Sequence, residues 1–228
     1  MLLPSMSAAT TLLPILSRLN SDYSIVLASG SPRRRELMQL MGFTDVKVRV
    51  STFSENLDKK SFPSAADYCL ATAVEKGREV SGRMRSEGEW RDKTLLIAAD
   101  TVVEIDGQVL EKPADKEEAL AMLTRLSGAQ HTVHTGVAVF TGRTAADGTC
   151  SPRPLVESTR VKFGQLSAAD IEAYVSTGEP FDKAGGYGIQ GLGGQLVEGV
   201  FGCYFNVMGL PIRALAQQIA QMLSDGEL

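Results

Sequence analysis

With 228 residues, 43% of them hydrophobic and 22% charged, the chain can bury a sizeable core. No apolar run reaches the length of a bilayer span. A net charge of −4 argues against a nucleic-acid polymer as partner, yet leaves room for a local cationic pocket around a small anion. The cysteines Cys69, Cys150 and Cys203 stand far apart without metal-ligand spacing, which reads as reduced thiols in a cytoplasmic setting.

Residues 1–20 contain leucine and isoleucine pairs but two prolines and no basic residue before Arg18, a poor fit to a secretory signal or a transit peptide. Residues 1–22 are expected to form an N-terminal extension, with a short helix on the surface, ahead of one domain over 23–228. Ile25-Val26-Leu27-Ala28 reads as a strand buried on both faces. Ser31 is a suitable N-cap and Pro32 a suitable first residue for a helix whose apolar face is Leu37, Leu40 and Met41 and whose stop is Gly42. Arg33-Arg34-Arg35 fall in the first turn, where the helix dipole already favours anions. Serine hydroxyls, exposed N–H groups and guanidiniums together suit a di- or triphosphate, and a solvated basic turn is the plain alternative.

Alternation over residues 46–50 predicts a half-buried strand. Residues 51–63 are irregular, and a long helix from Ser64 has Ala66, Leu70, Ala73, Gly77, Val80 and Met84 along one face. Lys76, at the edge of that stripe, reads as an ordinary snorkelling lysine. After a charged loop, Leu95 to Ala99 form an apolar strand interrupted by Asp100. An aspartate in such a run is costly unless paired, hydrogen-bonded or on a metal. It is either catalytic or a cap where the strand frays.

Asp115 caps a helix reaching Leu126, and strands follow over residues 132–140 and 156–163 around an exposed Gly/Thr/Pro-rich loop. His131 and His134 read as strand residues with local hydrogen bonds. Ser167 caps a helix that Gly178 stops. Gly186-x-Gly188-x-x-Gly191 matches a dinucleotide fingerprint in letters, but no strand precedes it and strand-like 195–197 follows, so it reads as a tight loop approaching a ligand. Residues 200–207 read as a strand, and Pro211 opens the last helix.

Five motifs now stand in order: Ser29-Gly-Ser-Pro-Arg-Arg34, Ala99-Asp-Thr-Val-Val103, Leu110-Glu-Lys-Pro113, Leu126-Ser-Gly-x-x-His131 and Asp182-Lys-Ala-Gly-Gly-Tyr-Gly-Ile-Gln-Gly191. Together they resemble the Maf family of nucleoside triphosphate pyrophosphatases. The resemblance implies an α/β fold shared with inosine triphosphate pyrophosphatases, a twisted mixed sheet with flanking helices forming two lobes around a cleft. It implies hydrolysis of a nucleoside triphosphate to the monophosphate and pyrophosphate with a divalent cation (Mg2+ or Mn2+), and commonly a homodimer. Matched by position, Asp100 corresponds to the proton acceptor, and Ser29, Arg34, Lys76 and Lys112 to phosphate-side residues. Glu55 corresponds to a carboxylate near the metal, with Asp100 sharing that role.

Arg33, Thr101 and Gln190 resemble the branch acting on dTTP and UTP, whereas the 7-methyl-GTP branch tends to carry tryptophan, glutamine and glutamate there. An amide at Gln190 offers donor and acceptor to a pyrimidine edge; an indole and a carboxylate suit a cationic purine. The resemblance also implies removal of non-canonical or excess nucleotides and an older link to cell-division arrest and septum formation. Leu57-Asp-Lys59 and Ser61-Phe62 are similar to the Maf-like domain fused ahead of a methyltransferase-like domain in acetylserotonin O-methyltransferase-like proteins. Alternative expectations are a non-catalytic nucleotide-binding regulator of cell division, or a pyrophosphatase preferring modified or other nucleotides.

Overall fold

The structure, a computed structural model, describes residues 11–143 and 151–228. Its strands are β1 (Ser24–Leu27), β2 (Val46–Val48), β3 (Thr94–Ile105), β4 (Gln108–Leu110), β5 (Gln130–Thr141), β6 (Arg153–Phe163) and β7 (Val197–Phe201). Among the described residues they form a seven-stranded mixed sheet of order β2-β1-β3-β5-β6-β7, with β4 on part of one edge of β3. The helices are α1 (Leu16–Asp22), α2 (Pro32–Leu40), α3 (Ala65–Ser86), α4 (Lys116–Leu126), α5 (Ala168–Ser176), α6 (Tyr204–Met208) and α7 (Ile212–Ser224). None is long and apolar enough to cross a membrane.

Because strand residues alternate between faces, β3 supplies two cores at once. Leu96 and Ala98 pack with Val80 and Met84 of α3. Leu95, Ile97 and Ala99 pack on the opposite face with Leu37, Leu215 and Ile219. Further along that second face, Val103 and Ile105 join a separate cluster with Leu123, Ile171 and Tyr187. The second face therefore carries two apolar clusters, and Thr101 falls between them.

Helix α3 is pressed onto the strands because small residues admit it. A Cβ at Gly77 would come within 2.1 Å of the Phe140 ring, and one at Gly136 within 2.6 Å of the Leu70 backbone. Cys69 fills the same seam, its thiol 3.2 Å from the Asp100 carbonyl and accepting the Gly136 N–H at 3.2 Å.

Several expected elements need correction. Helix α1 exists, but Leu19 is fully buried and Leu12 nearly so, both in the main core, so this segment is not a surface helix. In α2 the inward side chains are Leu37 and Met38, whereas Leu40 is 62% exposed; Leu37 and Met41, four apart, share the inner stripe and Leu40 lies off it. Strand β2 is short and mostly exposed, because it is the sheet's edge. Residues 195–196 belong to a 3-10 turn, Leu192–Leu196, and the last strand is β7, earlier than expected. Residues 204–207 fall in α6, because Gly202 at φ +131° breaks the strand and Gly209 at φ +113° caps the new helix. Most of the Gly/Thr/Pro-rich loop, Cys150 and residues 1–10 lie outside the described residues; Cys69 and Cys203 are free thiols.

Candidate active site

One edge of β3 pairs with β5 along nearly its whole length. The other edge is shared by two short partners, β1 up to Ile97 and β4 from Val103 onward. Among the described residues, no strand thus faces residues 98–102 of β3 on that side. A cleft of about 340 Å³ opens there, at the carboxyl end of β1 where the chain turns into α2. Ser29, Arg33, Arg34, Glu55, Lys76, Asp100, Thr101, Lys112 and Gln190, every site residue expected from the sequence, line it.

Asp100 does not end a fraying strand. Its backbone pairs with Gly136 in the middle of β3, and the residue is 8% exposed. Its Oδ1 accepts from Lys76 Nζ at 2.7 Å. Lys76 is no snorkelling lysine: it is also 8% exposed and lies about two turns beyond Cys69, so the face that seats Cys69 on the sheet aims the ammonium at Asp100. The same ammonium is 2.8 Å from Glu55 Oε1, whose own side chain is half exposed. Two carboxylates therefore converge on one cationic point.

Thr101, one residue on, points to the other face. Arg34 donates from Nη2 to Thr101 Oγ1 (2.9 Å), from Nη1 to Ser29 Oγ (3.2 Å) and from Nε to the Gly209 carbonyl (2.9 Å). Desolvation lowers the Arg34 pKa, and the negative charge of Asp100 opposes the shift. A guanidinium has five N–H donors, so three protein acceptors leave Nη1 and Nη2 one each for a ligand. Ser31 sits at the N-cap of α2 as expected, but its hydroxyl makes no capping bond; instead Ser29 Oγ accepts the Ser31 N–H at 3.2 Å. The first-turn amides of α2 remain available to an anion. Lys112 follows β4 as an exposed cation on the cleft.

The opposite wall is the glycine-rich stretch, residues 179–194, folded as successive 3-10 turns rather than a strand-to-helix turn. Gly185 (φ +67°) lies so close to Val103 that a Cβ would come within 2.8 Å of it. Glu179 organises this wall: its carboxylate accepts the Leu192 and Gly193 N–H groups at 3.0 and 3.1 Å and the Tyr174 hydroxyl at 2.9 Å. Burial pushes the Glu179 pKa up, but these bonds outweigh it and hold the net value below the ordinary one. Arg33 reaches this wall by donating to the Asp182 side chain at 2.8 Å and its carbonyl at 3.1 Å. Gln190 lies exposed on the rim.

Both histidines lie on β5, but their partners are not local. His131 Nε2 is 2.8 Å from the hydroxyl of Tyr187, a cleft residue, and burial pushes its pKa down to about 4. His134 bridges Ser158 (2.8 Å) and Glu104 (2.9 Å) across neighbouring strands.

The sequence reading missed Glu179, Tyr187, Asp182 as the partner of Arg33, and the buried pair Thr135 and Asn206 behind Thr101. Asp182 and Tyr187 lie inside a quoted motif; the others carry no local signal, since their partners are remote in sequence. Among the described residues no three His, Cys, Asp or Glu side chains are grouped to hold a metal. Glu55 and Asp100 fit a hard divalent cation only as a partial set, completed by phosphate oxygens as magnesium sites commonly are. The Lys76 ammonium lies between them, 2.7 Å from Asp100 and 2.8 Å from Glu55.

The family model described as Maf-like protein matches residues 24–222. A probable bifunctional dTTP/UTP pyrophosphatase/methyltransferase protein of Homo sapiens is 43% identical over 213 residues, 92% of this chain; the chain spans 34% of that protein's length. A dTTP/UTP pyrophosphatase of Schizosaccharomyces pombe is 37% identical, the alignment covering 98% of this chain and 94% of the relative. One of Shewanella denitrificans is 42% identical, with coverage of 89% and 98%. With a family match over almost all of the sheet and the cleft, and two of these relatives similar over more than nine-tenths of their own length, the chain belongs to the Maf-like protein family.

Proposed function

We infer that the protein is a nucleoside triphosphate pyrophosphatase acting on dTTP and UTP, releasing pyrophosphate and leaving the monophosphate. The observation that carries this reading is a buried carboxylate, Asp100, set in a strand gap beside an arginine with two uncommitted N–H donors. Water attacks the α-phosphorus, and the bond from that phosphorus to the oxygen bridging to the β-phosphate breaks. Pyrophosphate leaves with that oxygen, and the proton from water passes to Asp100, whose Oδ1 is held by Lys76 and whose Oδ2 is the acceptor. Arg34, Lys76, Lys112, Ser29 and the first turn of α2 bind and orient the triphosphate. Glu55 and Asp100 would hold Mg2+ or Mn2+ together with phosphate oxygens, and the ion would spread the charge that develops on them.

The names of the relatives, with Arg33, Thr101 and Gln190 on the cleft, support the pyrimidine choice. The test is a metal-supplemented panel of dTTP, UTP, CTP, GTP, ITP and 7-methyl-GTP, with pyrophosphate and orthophosphate measured separately. Pyrophosphate chiefly from dTTP and UTP, lost in Asp100→Asn, is the expected result. Folded wild-type protein that binds dTTP but releases no pyrophosphate from any member would overturn it.

A further inference from the structure

From the cleft residue Arg34 a closed ring of hydrogen bonds runs back through Thr135 and Asn206, which do not line the cleft, and returns to Arg34. In one direction Arg34 Nε donates to the Gly209 carbonyl, and the Gly209 N–H donates to the Asn206 carbonyl at 2.9 Å. In the other direction Arg34 Nη2 donates to Thr101 Oγ1, which lies 3.0 Å from Thr135 Oγ1. Thr135 then donates to the same Asn206 carbonyl at 3.0 Å. Both arms therefore converge on one carbonyl oxygen.

That oxygen is itself anchored. The Asn206 side chain is fully buried and its amide nitrogen donates to the Val133 carbonyl (3.0 Å) and to Thr159 Oγ1 (3.1 Å), fixing α6 to β5 and β6. Proton direction around the ring is determined. The Thr135 hydroxyl proton goes to Asn206, so the Thr101 proton must go to Thr135, and Thr101 can meet Arg34 only as an acceptor.

We propose that Thr135 and Asn206, neither of which lines the cleft, are positioning residues for Arg34. They hold the Thr101 hydroxyl in its accepting orientation and so set the plane of the guanidinium presented to the triphosphate. The inference rests on the pyrophosphatase reading for its ligand. It requires only that Arg34 bind a polyphosphate.

Thr135→Val tests it, since the change keeps the branched shape and removes the hydroxyl; Thr135→Ala serves if the valine variant does not fold. Binding is read by calorimetry with inorganic triphosphate, and dTTP hydrolysis is followed in parallel. In the Arg34 protein the valine variant is expected to bind triphosphate about 3- to 10-fold more weakly, with the hydrolytic loss mainly in KM. Thr135→Ser, which restores the hydroxyl, is expected to bind like wild type. In an Arg34→Lys background, where no guanidinium plane remains to be set, Thr135→Val is expected to cost nothing further. Wild-type affinity in Thr135→Val, or an equal loss in both backgrounds, would overturn the proposal. Failure of the wild type to release pyrophosphate would sink the enzymatic reading and leave this coupling measurable.

Discussion

One wall of the cleft runs from α2 through residues 98–102 of β3 to α3 and is held by backbone ladders and helix faces. The other, residues 179–194, is a chain of 3-10 turns held by the carboxylate of Glu179, with Tyr174 and Tyr187 behind it. The first wall carries Asp100, Lys76 and Arg34, the second Gln190 and the partner of Arg33. On the proposed function, Asp100, Lys76 and Arg34 thus lie on the wall built of regular elements, as do Arg33 and Thr101. Gln190 rests on a segment whose shape depends on a few side-chain bonds.

Four perturbations sharpen that contrast. In Asp100→Asn, pyrophosphate release should fall about 10²–10⁴-fold, while circular dichroism stays native because Glu55 still pairs with Lys76. Wild-type turnover would remove Asp100 from the mechanism. Next, Lys76→Met leaves Asp100 and Glu55 facing one another without a cation, and the metal-free protein should lose about 3 kcal/mol of stability. Thermal melts should then show Mn2+ or Mg2+ restoring part of that loss; indifference to both ions would count against Glu55 and Asp100 as a metal pair.

The glycine-rich wall should yield to acid. His131 is held neutral, with a pKa near 4 in the folded state against an ordinary 6.5, so the unfolded chain takes up its proton first. Its contribution is complete above about pH 6.5 and is lost as pH falls toward 4, by roughly 2–3 kcal/mol. Denaturant titrations of His131→Gln should show a flatter profile across that window, and an unchanged slope would exclude His131 as the source. Glu179→Gln is expected to have the smallest effect, about 1–2 kcal/mol, because an amide oxygen can still accept from part of the loop. It should raise KM for dTTP more than it lowers kcat, and an effect confined to kcat would show that this wall does more than position the base. The lowered pKa of Glu179 places its stabilising charge above the ordinary carboxylate range, lost as pH falls through the folded value.

The regular wall was legible from local pattern. The apolar run before Ser29, the Pro32 start of α2 and the misplaced Asp100 each identify themselves through composition and spacing over a few residues. Lys76 did not, because the seam that orients it depends on Gly77 and Cys69 of α3 meeting Phe140 and Gly136 of β5. The segment from 195 to 207 misled because its apolar content suits a strand, whereas the positive φ angles at Gly202 and Gly209 divide it into β7 and α6.

By itself, then, the sequence marked the arginine turn of α2 as suited to a phosphate and Asp100 as the carboxylate out of place, since helix starts, apolar periodicity and the cost of a buried charge are local properties. Only the tertiary structure decided that Asp100 and Glu55 meet at Lys76 and that Thr135 and Asn206 stand behind Arg34. The gap between β1 and β4 that opens the cleft was likewise settled there. Each of these contacts joins residues tens of positions apart, and their distance in space follows from strand order and register, which no short stretch of sequence specifies.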